Sequence, residues 1–165
     1  MMENFRFMSR FNQWVNGRLY DAVAQLSEEE YNRETGAFFG SINRTLNHIL
    51  IIDRIQISRF SGPNIDRDIK SVNHVMQQHL PDLRRVRDEL DNHIISTIAT
   101  LHGDVLDRRY ALHMTATGRD YEMIGRHMLL TMFNHQTHHR GQVHCMLTQM
   151  GYAVPALDVP VFAAL

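Results

Sequence analysis

Eleven histidines stand among 165 residues, and four of them, His135, His138, His139 and His144, fall in one short stretch. Imidazole is the commonest side-chain ligand of transition metals, so the concentration asks first for metal chemistry. In Asn134-His135-Gln136-Thr137-His138-His139-Arg140-Gly141-Gln142, His135 and His139 lie four residues apart. On a helix that spacing puts both rings on one face, on adjacent turns, where they can reach one ion. Traced at about 100° per residue, the same stripe carries Ile124, Met128, Met132, Val143, Met146 and Met150, so the pair faces the protein interior. His138 is displaced to the flank and His144 falls roughly opposite. Such pairs also arise by accident in helices, where neighbouring backbone or side chains satisfy them. A site needs a third ligand. His48 is a candidate, within an apolar segment and on a stripe with Thr45, Ile52 and Ile55, although a lone histidine there is ordinarily a core residue.

Composition narrows the chemistry. Cys145 is the only cysteine, so an intrachain disulfide and a thiolate zinc cluster are both excluded, and a metal must use histidine, carboxylate or water. The 17 basic and 18 acidic residues give a net charge of -1, which lacks the positive excess that nucleic acid or an anionic membrane attracts. No apolar run nears the roughly 20 residues that cross a bilayer, and the first ten residues mix Glu3, Arg6 and Arg10 with apolar ones. The chain is expected in the cytoplasm. With 44% hydrophobic residues it can close a substantial core, and residues 1–165 are read as a single domain.

The elements that must position the histidines follow from periodicity. Phe5, Met8, Phe11, Trp14, Val15, Leu19, Val23 and Leu26 recur at helical steps and predict a first helix over residues 4–26. Ser27 followed by Glu28, Glu29 and Glu30 has the form of a capping box that starts a short turn. A second, largely apolar helix is predicted from Ser41 to about Phe60. Gly62-Pro63-Asn64 breaks the pattern, and a third periodic segment runs from Val72 to Ile98. Pro81 lies inside it and must kink or divide it. Between His102 and Asp120 the period fades, and Thr115, Thr117 and Gly118 suggest a long irregular connection. The last helix is predicted over residues 121–150, ending at Gly151, with residues 154–165 extended on the surface. Four long helices and almost no alternating pattern predict an all-α four-helix bundle, its topology left open by the long connections.

Leu46-Asn47-His48-Ile49-Leu50, together with the segment from Phe133 to Gln142 and Gly151 before a proline-containing tail, resembles the DinB/YfiT family, which is unrelated to the DNA polymerase of similar name. The resemblance spans most of the chain in helix order. It implies a four-helix bundle, often dimeric, with three histidine ligands from helices two and four, matching His48, His135 and His139 here. Related branches of the family include thiol-dependent transferases and a mycothiol-dependent isomerase, so a small-molecule substrate, a thiol among them, and a homodimer are expected.

Three neutral imidazoles leave an ion at least one position for water, the arrangement of a catalytic rather than a structural zinc. Zinc or nickel suits such ligands. A metal-dependent hydrolase and a thiol-dependent transferase are both physically reasonable. No glutamate sits between His135 and His139, which disfavours the zinc-protease arrangement. Asp53, His138 and Gln142 are possible supporting or proton-handling groups, but each is ordinarily a solvated or structural helix residue, and no catalytic role is assigned. Cys145 reads as a small packing residue. The competing classes are a non-catalytic metal-binding stress-response protein and a helical interaction module without metal.

Overall fold

The computed structural model describes residues 1–61, 71–114 and 117–165. Gly62-Pro63-Asn64 and Thr115 therefore lie outside the described residues. Four long helices carry the architecture: α1 (Met2–Val23), α3 (Ile42–Ser61), α4 (Leu80–Thr100) and α5 (Gly125–Gln149). Helix α1 packs against α4 and α5, and α3 packs against the same two. The order around the bundle is thus α1, α4, α3, α5, with α1 and α3 on a diagonal. The central layer is aliphatic, including Leu19, Leu50, Ile94, Ile98, Leu129 and Leu147. The expected class holds, and the pairing of α3 with α5 brings His48 beside His135 and His139. Among the described residues no helix is long and apolar enough to cross a membrane.

The predicted capping box forms. Ser27 Oγ accepts from the Glu30 amide at 3.2 Å, and Glu30 Oε2 accepts from the Ser27 amide at 2.9 Å. These bonds start the short helix α2 (Glu28–Asn32). After it, residues 33–41 turn back through Gly36 and Gly40, whose φ angles of 71° and 85° favour glycine.

Three expectations are corrected. Pro81 divides the third periodic segment, as expected, by sitting in the first turn of α4, where its missing N–H costs nothing; what is corrected is the helical reading of the residues before it. The apolar residues before it, Val72, Val75 and Met76, continue outside that helix. Here the buried Asn47 side chain replaces the helical bonding: its Oδ1 accepts from the Met76 and Gln77 amides at 2.9 and 3.0 Å, and its Nδ2 donates to the Gln77 carbonyl at 3.0 Å. An asparagine that matches backbone donors and acceptors in this way competes directly with a helix.

The second correction falls in the expected irregular connection. It contains a 3₁₀ turn (Gly103–Leu106) and an antiparallel hairpin, β1 (Arg109–Met114) and β2 (Arg119–Ile124). Arg109–Glu122 and His113–Asp120 pair across the strands at 2.8 Å each. Strand β1 does alternate, with Tyr110 and Leu112 half-buried between exposed Arg109, Ala111 and His113, but β2 is exposed over its first four residues and shows no buried face of its own. The hairpin also delays the last helix, which begins at Gly125 rather than residue 121. A side chain at Gly125 would run into the Val105 carbonyl.

Finally, the tail is not wholly extended. Helix α6 (Val159–Ala163), with Pro160 in its first turn, places the Phe162 ring 5.4 Å from Phe7, 5.7 Å from Phe11 and 5.6 Å from Trp14. These aromatic contacts give a five-residue helix the tertiary support that propensity alone cannot supply.

Candidate metal centre

His48 stands in the middle of α3, and His135 and His139 stand one turn apart on α5. Their ligating nitrogens all lie within 4.8 Å of one another, and among the described residues no aspartate, glutamate or cysteine joins the group. His48 Nε2 faces His135 Nε2 at 3.1 Å. The three sequence-selected histidines are therefore brought together, while His144 is exposed on the far side of α5.

The hydrogen bonds around the trio decide which nitrogens are available. His48 Nδ1 lies 2.9 Å from the Val72 carbonyl, which can only accept, so Nδ1 carries the proton and Nε2 presents its lone pair. His139 Nδ1 donates to Gln142 Oε1 at 2.8 Å, with the same result. The Gln142 amide also meets His138 Nε2 at 3.3 Å, so Gln142 and His138 form a supporting chain behind His139. Among the described residues His135 Nδ1 is buried without a hydrogen-bond partner.

Two lone pairs 3.1 Å apart repel unless a proton or a cation lies between them. A proton on His135 Nε2 would bridge to His48 and leave His135 Nδ1 as an unpartnered buried lone pair. An ion accepting both Nε2 atoms removes the repulsion, and tetrahedral ligands about 2.0–2.1 Å from zinc stand roughly 3.3 Å apart. The residues fit a metal on geometric grounds.

The electrostatics agree. Burial lowers His48 to about 4, only partly offset by its bond to Val72. Burial lowers His135 to about 3, with His139 and His48 opposing its positive charge. Burial also lowers His139, against the support of Gln142. All three are neutral at pH 7, the form that coordinates. Phe39 covers one side of the cluster, stacked 4.0 Å over His48 and set edge-on 5.4 Å from His139.

Several participants escaped sequence reasoning. Phe39 and the Val72 carbonyl belong to segments with no ligand pattern of their own. A buried polar network occupies the bundle next to the trio and joins all four long helices. Arg87 on α4 bonds Asp53 Oδ2 at 2.6 Å and Asp91 Oδ1 at 2.7 Å. Asn16 Nδ2 reaches both Asp91 oxygens at 3.1 and 3.0 Å. Arg140 bonds Asn12, and it meets the Asn16 and Gln136 side-chain oxygens at 3.2 Å each. Asp53 thus serves this network rather than the histidines. The available signal was the i, i+4 spacing of Asn12 with Asn16 and of Arg87 with Asp91 inside otherwise apolar stripes. Cys145, expected to pack, is exposed.

A four-helix bundle holding three convergent imidazoles, with no protein anion in the cluster among the described residues, defines a class of histidine-cluster bundles able to hold a metal ion. The chain belongs to the DinB family, whose model matches residues 1–165. It is similar to Protein DinB of Bacillus subtilis (strain 168), 25% identical over 162 residues that cover 95% of this chain and 92% of that protein. Its fold is similar to that of a DinB-like protein from Bacillus cereus ATCC 10987, with a TM-score of 0.65, 18% identity and 93% of each chain covered. It is also similar to the DinB-like protein YjoA of Bacillus subtilis, with a TM-score of 0.62 and 16% identity over 92% of this chain and 97% of that one. At these identities the two structures speak to the fold alone.

Proposed function

We propose that His48, His135 and His139 hold one divalent transition metal, zinc or nickel, and that the protein uses it as a metal-dependent hydrolase or thiol-dependent transferase acting on a small molecule. The observation that carries this reading is the convergence of imidazole nitrogens, two of them with Nδ1 protons committed elsewhere. A divalent ion bound there supplies a Lewis acid for a substrate oxygen or sulfur. Val72 and Gln142 fix the tautomers of His48 and His139, a task that partners behind ligating histidines commonly perform. Three protein donors would leave a bound ion an open position for substrate. Zinc and nickel content after purification without chelator, followed by turnover of thiol and ester substrates, tests the reading. Metal retained with no turnover would favour the non-catalytic metal-binding role instead. The same reading includes a homodimer, which sedimentation over a range of concentrations checks.

Acid should strip the metal, but later than a free histidine would. In the metal-free fold His48 and His135 titrate near 4 and 3, below the unfolded value of about 6.5. The folded state therefore binds fewer protons than the unfolded state, and stability present above pH 6.5 is lost as pH falls toward those values. Metal occupancy should persist at pH 6 and collapse toward pH 4, followed by metal analysis after dialysis at stepped pH. Occupancy unchanged at pH 3 would rule out an all-histidine ligand set.

A further inference from the structure

A cleft of about 340 Å³ opens beside the histidine cluster, walled by Phe38, Phe39, Arg44, Asn73 and Val75. Its walls are the segments that also shape the cluster. Phe39 is the ring stacked on His48, and Asn73 directly follows Val72, whose carbonyl orients His48. Arg44 precedes His48 by four residues in α3, which puts it on the same helix face about 6 Å along the axis.

Among the described residues the Arg44 guanidinium has no hydrogen bond or ion pair. Glu34 borders an adjoining cleft of about 390 Å³ that Arg44 also lines. Glu34 turns back on its own loop instead, its Oε1 accepting the Gly36 amide at 3.1 Å. Phe38 stands 85% exposed at the mouth, with its ring edge-on to Phe39 at 4.9 Å. The cleft thus presents one uncommitted planar cation, an aromatic wall and the Asn73 side chain. Small-molecule sites combine such apolar walls with a few placed polar groups.

We propose that this cleft binds a carboxylate-bearing small molecule, its carboxylate on Arg44 and its apolar portion against Phe38 and Phe39, and that Arg44 thereby positions substrate beside the metal centre. The last clause rests on the proposed metal reading; the carboxylate site itself does not. Carboxylate is the choice because one guanidinium fork matches its single charge and two coplanar oxygens, whereas the second charge of a phosphate finds no other cation among the described residues lining the cleft.

The test uses the full chain as purified, with hexanoate as the probe and hexan-1-ol as its uncharged counterpart, followed by ¹H–¹⁵N NMR. Hexanoate should shift the amides of Phe38, Phe39, Arg44, Asn73 and Val75 as one saturable set, and hexan-1-ol should not. Arg44→Gln should weaken hexanoate at least tenfold, with Arg44→Lys recovering part of the loss. Arg44 is exposed, and circular dichroism confirms that both variants fold. Shifts scattered over the surface, or equal affinity in Arg44→Gln, would overturn the site. Inorganic phosphate binding the same amides more tightly than hexanoate would overturn the carboxylate assignment. Metal analysis of the same samples reads the centre separately. Hexanoate binding without retained metal removes the metal centre and leaves the carboxylate site standing, and retained metal without hexanoate binding does the reverse.

Discussion

Alanine at His48, His135 or His139 should weaken zinc binding by more than about 100-fold, whereas alanine at His138 or His144 should change it less than about threefold. The upper figure follows from comparison with supporting groups, whose loss typically costs 10–100-fold in metal affinity, so loss of a coordinating nitrogen must exceed that range. Gln142→Ala should fall between the two groups, because it removes the acceptor that holds the His139 proton on Nδ1 at 2.8 Å. Among the described residues His138 meets the trio through Gln142 and by its ring edge, 4.7 Å from His139. Removing an imidazole at this edge of the bundle leaves the aliphatic layer of Leu50, Leu129 and Leu147 intact, so helicity should be retained in every variant. Zinc titration against a chromophoric chelator, with circular dichroism in parallel, measures both quantities. If His138→Ala lost metal while His135→Ala bound normally, the ligand assignment would be wrong even though the bundle stood.

How much of this was legible beforehand depends on what each residue's neighbours in sequence reveal. His135 and His139 were readable because one helix carries both, and helix geometry converts a spacing of four into proximity. His48 was not readable in that way. Its approach to His135 depends on the packing of α3 against α5, and only the family resemblance supplied it in advance. The long helices were legible because their apolar stripes are buried on one side. The hairpin was legible only in part, because Tyr110, Leu112 and Met114 alternate with Arg109, Ala111 and His113 over just six residues and the partner strand has no alternating buried face. The helix α6 was not legible because its support comes from Phe7, Phe11 and Trp14 at the other end of the chain. The Val72–Met76 segment misled for a third reason. Its apolar spacing suits a helix, but Asn47 takes the Met76 and Gln77 amides and Pro81 fixes where α4 begins. A side chain thirty residues away in sequence outweighed a local period.

The largest stability effect should come from a residue that makes no contact with the proposed metal. Arg87 is 1% exposed and sits between Asp53 and Asp91, which are equally buried. Among the described residues two buried arginines, Arg87 and Arg140, face the two buried carboxylates, so these four charges balance. Arg87→Ala would remove one cation and leave Asp53 without its partner in a setting where solvation cannot replace it. Breaking a buried pair in this way costs about 3–5 kcal/mol, a large share of the roughly 5–15 kcal/mol that holds an ordinary domain together. Arg87→Lys should lose less, since it keeps the charge, but a single ammonium cannot repeat the fork that spans both carboxylates. The pH dependence identifies the cause. Burial already pushes Asp53 up to about 6 despite the opposing pull of Arg87, and without that cation it must rise further. A carboxyl whose folded pKa is raised binds protons in the folded state that the unfolded state, near 3.9, releases. Its penalty is therefore fully felt above the folded pKa and relieved as pH falls toward the unfolded one. The deficit of Arg87→Ala should accordingly be greatest at pH 7 and shrink by pH 5, and Asp53→Asn introduced into that variant should recover part of it at pH 7 and little at pH 5. Urea unfolding of wild type, the single variants and the double variant at both pH values reads each difference. A deficit under about 1 kcal/mol at pH 7, or one that grew in acid, would show that the Arg87 network does not hold the four helices together as described.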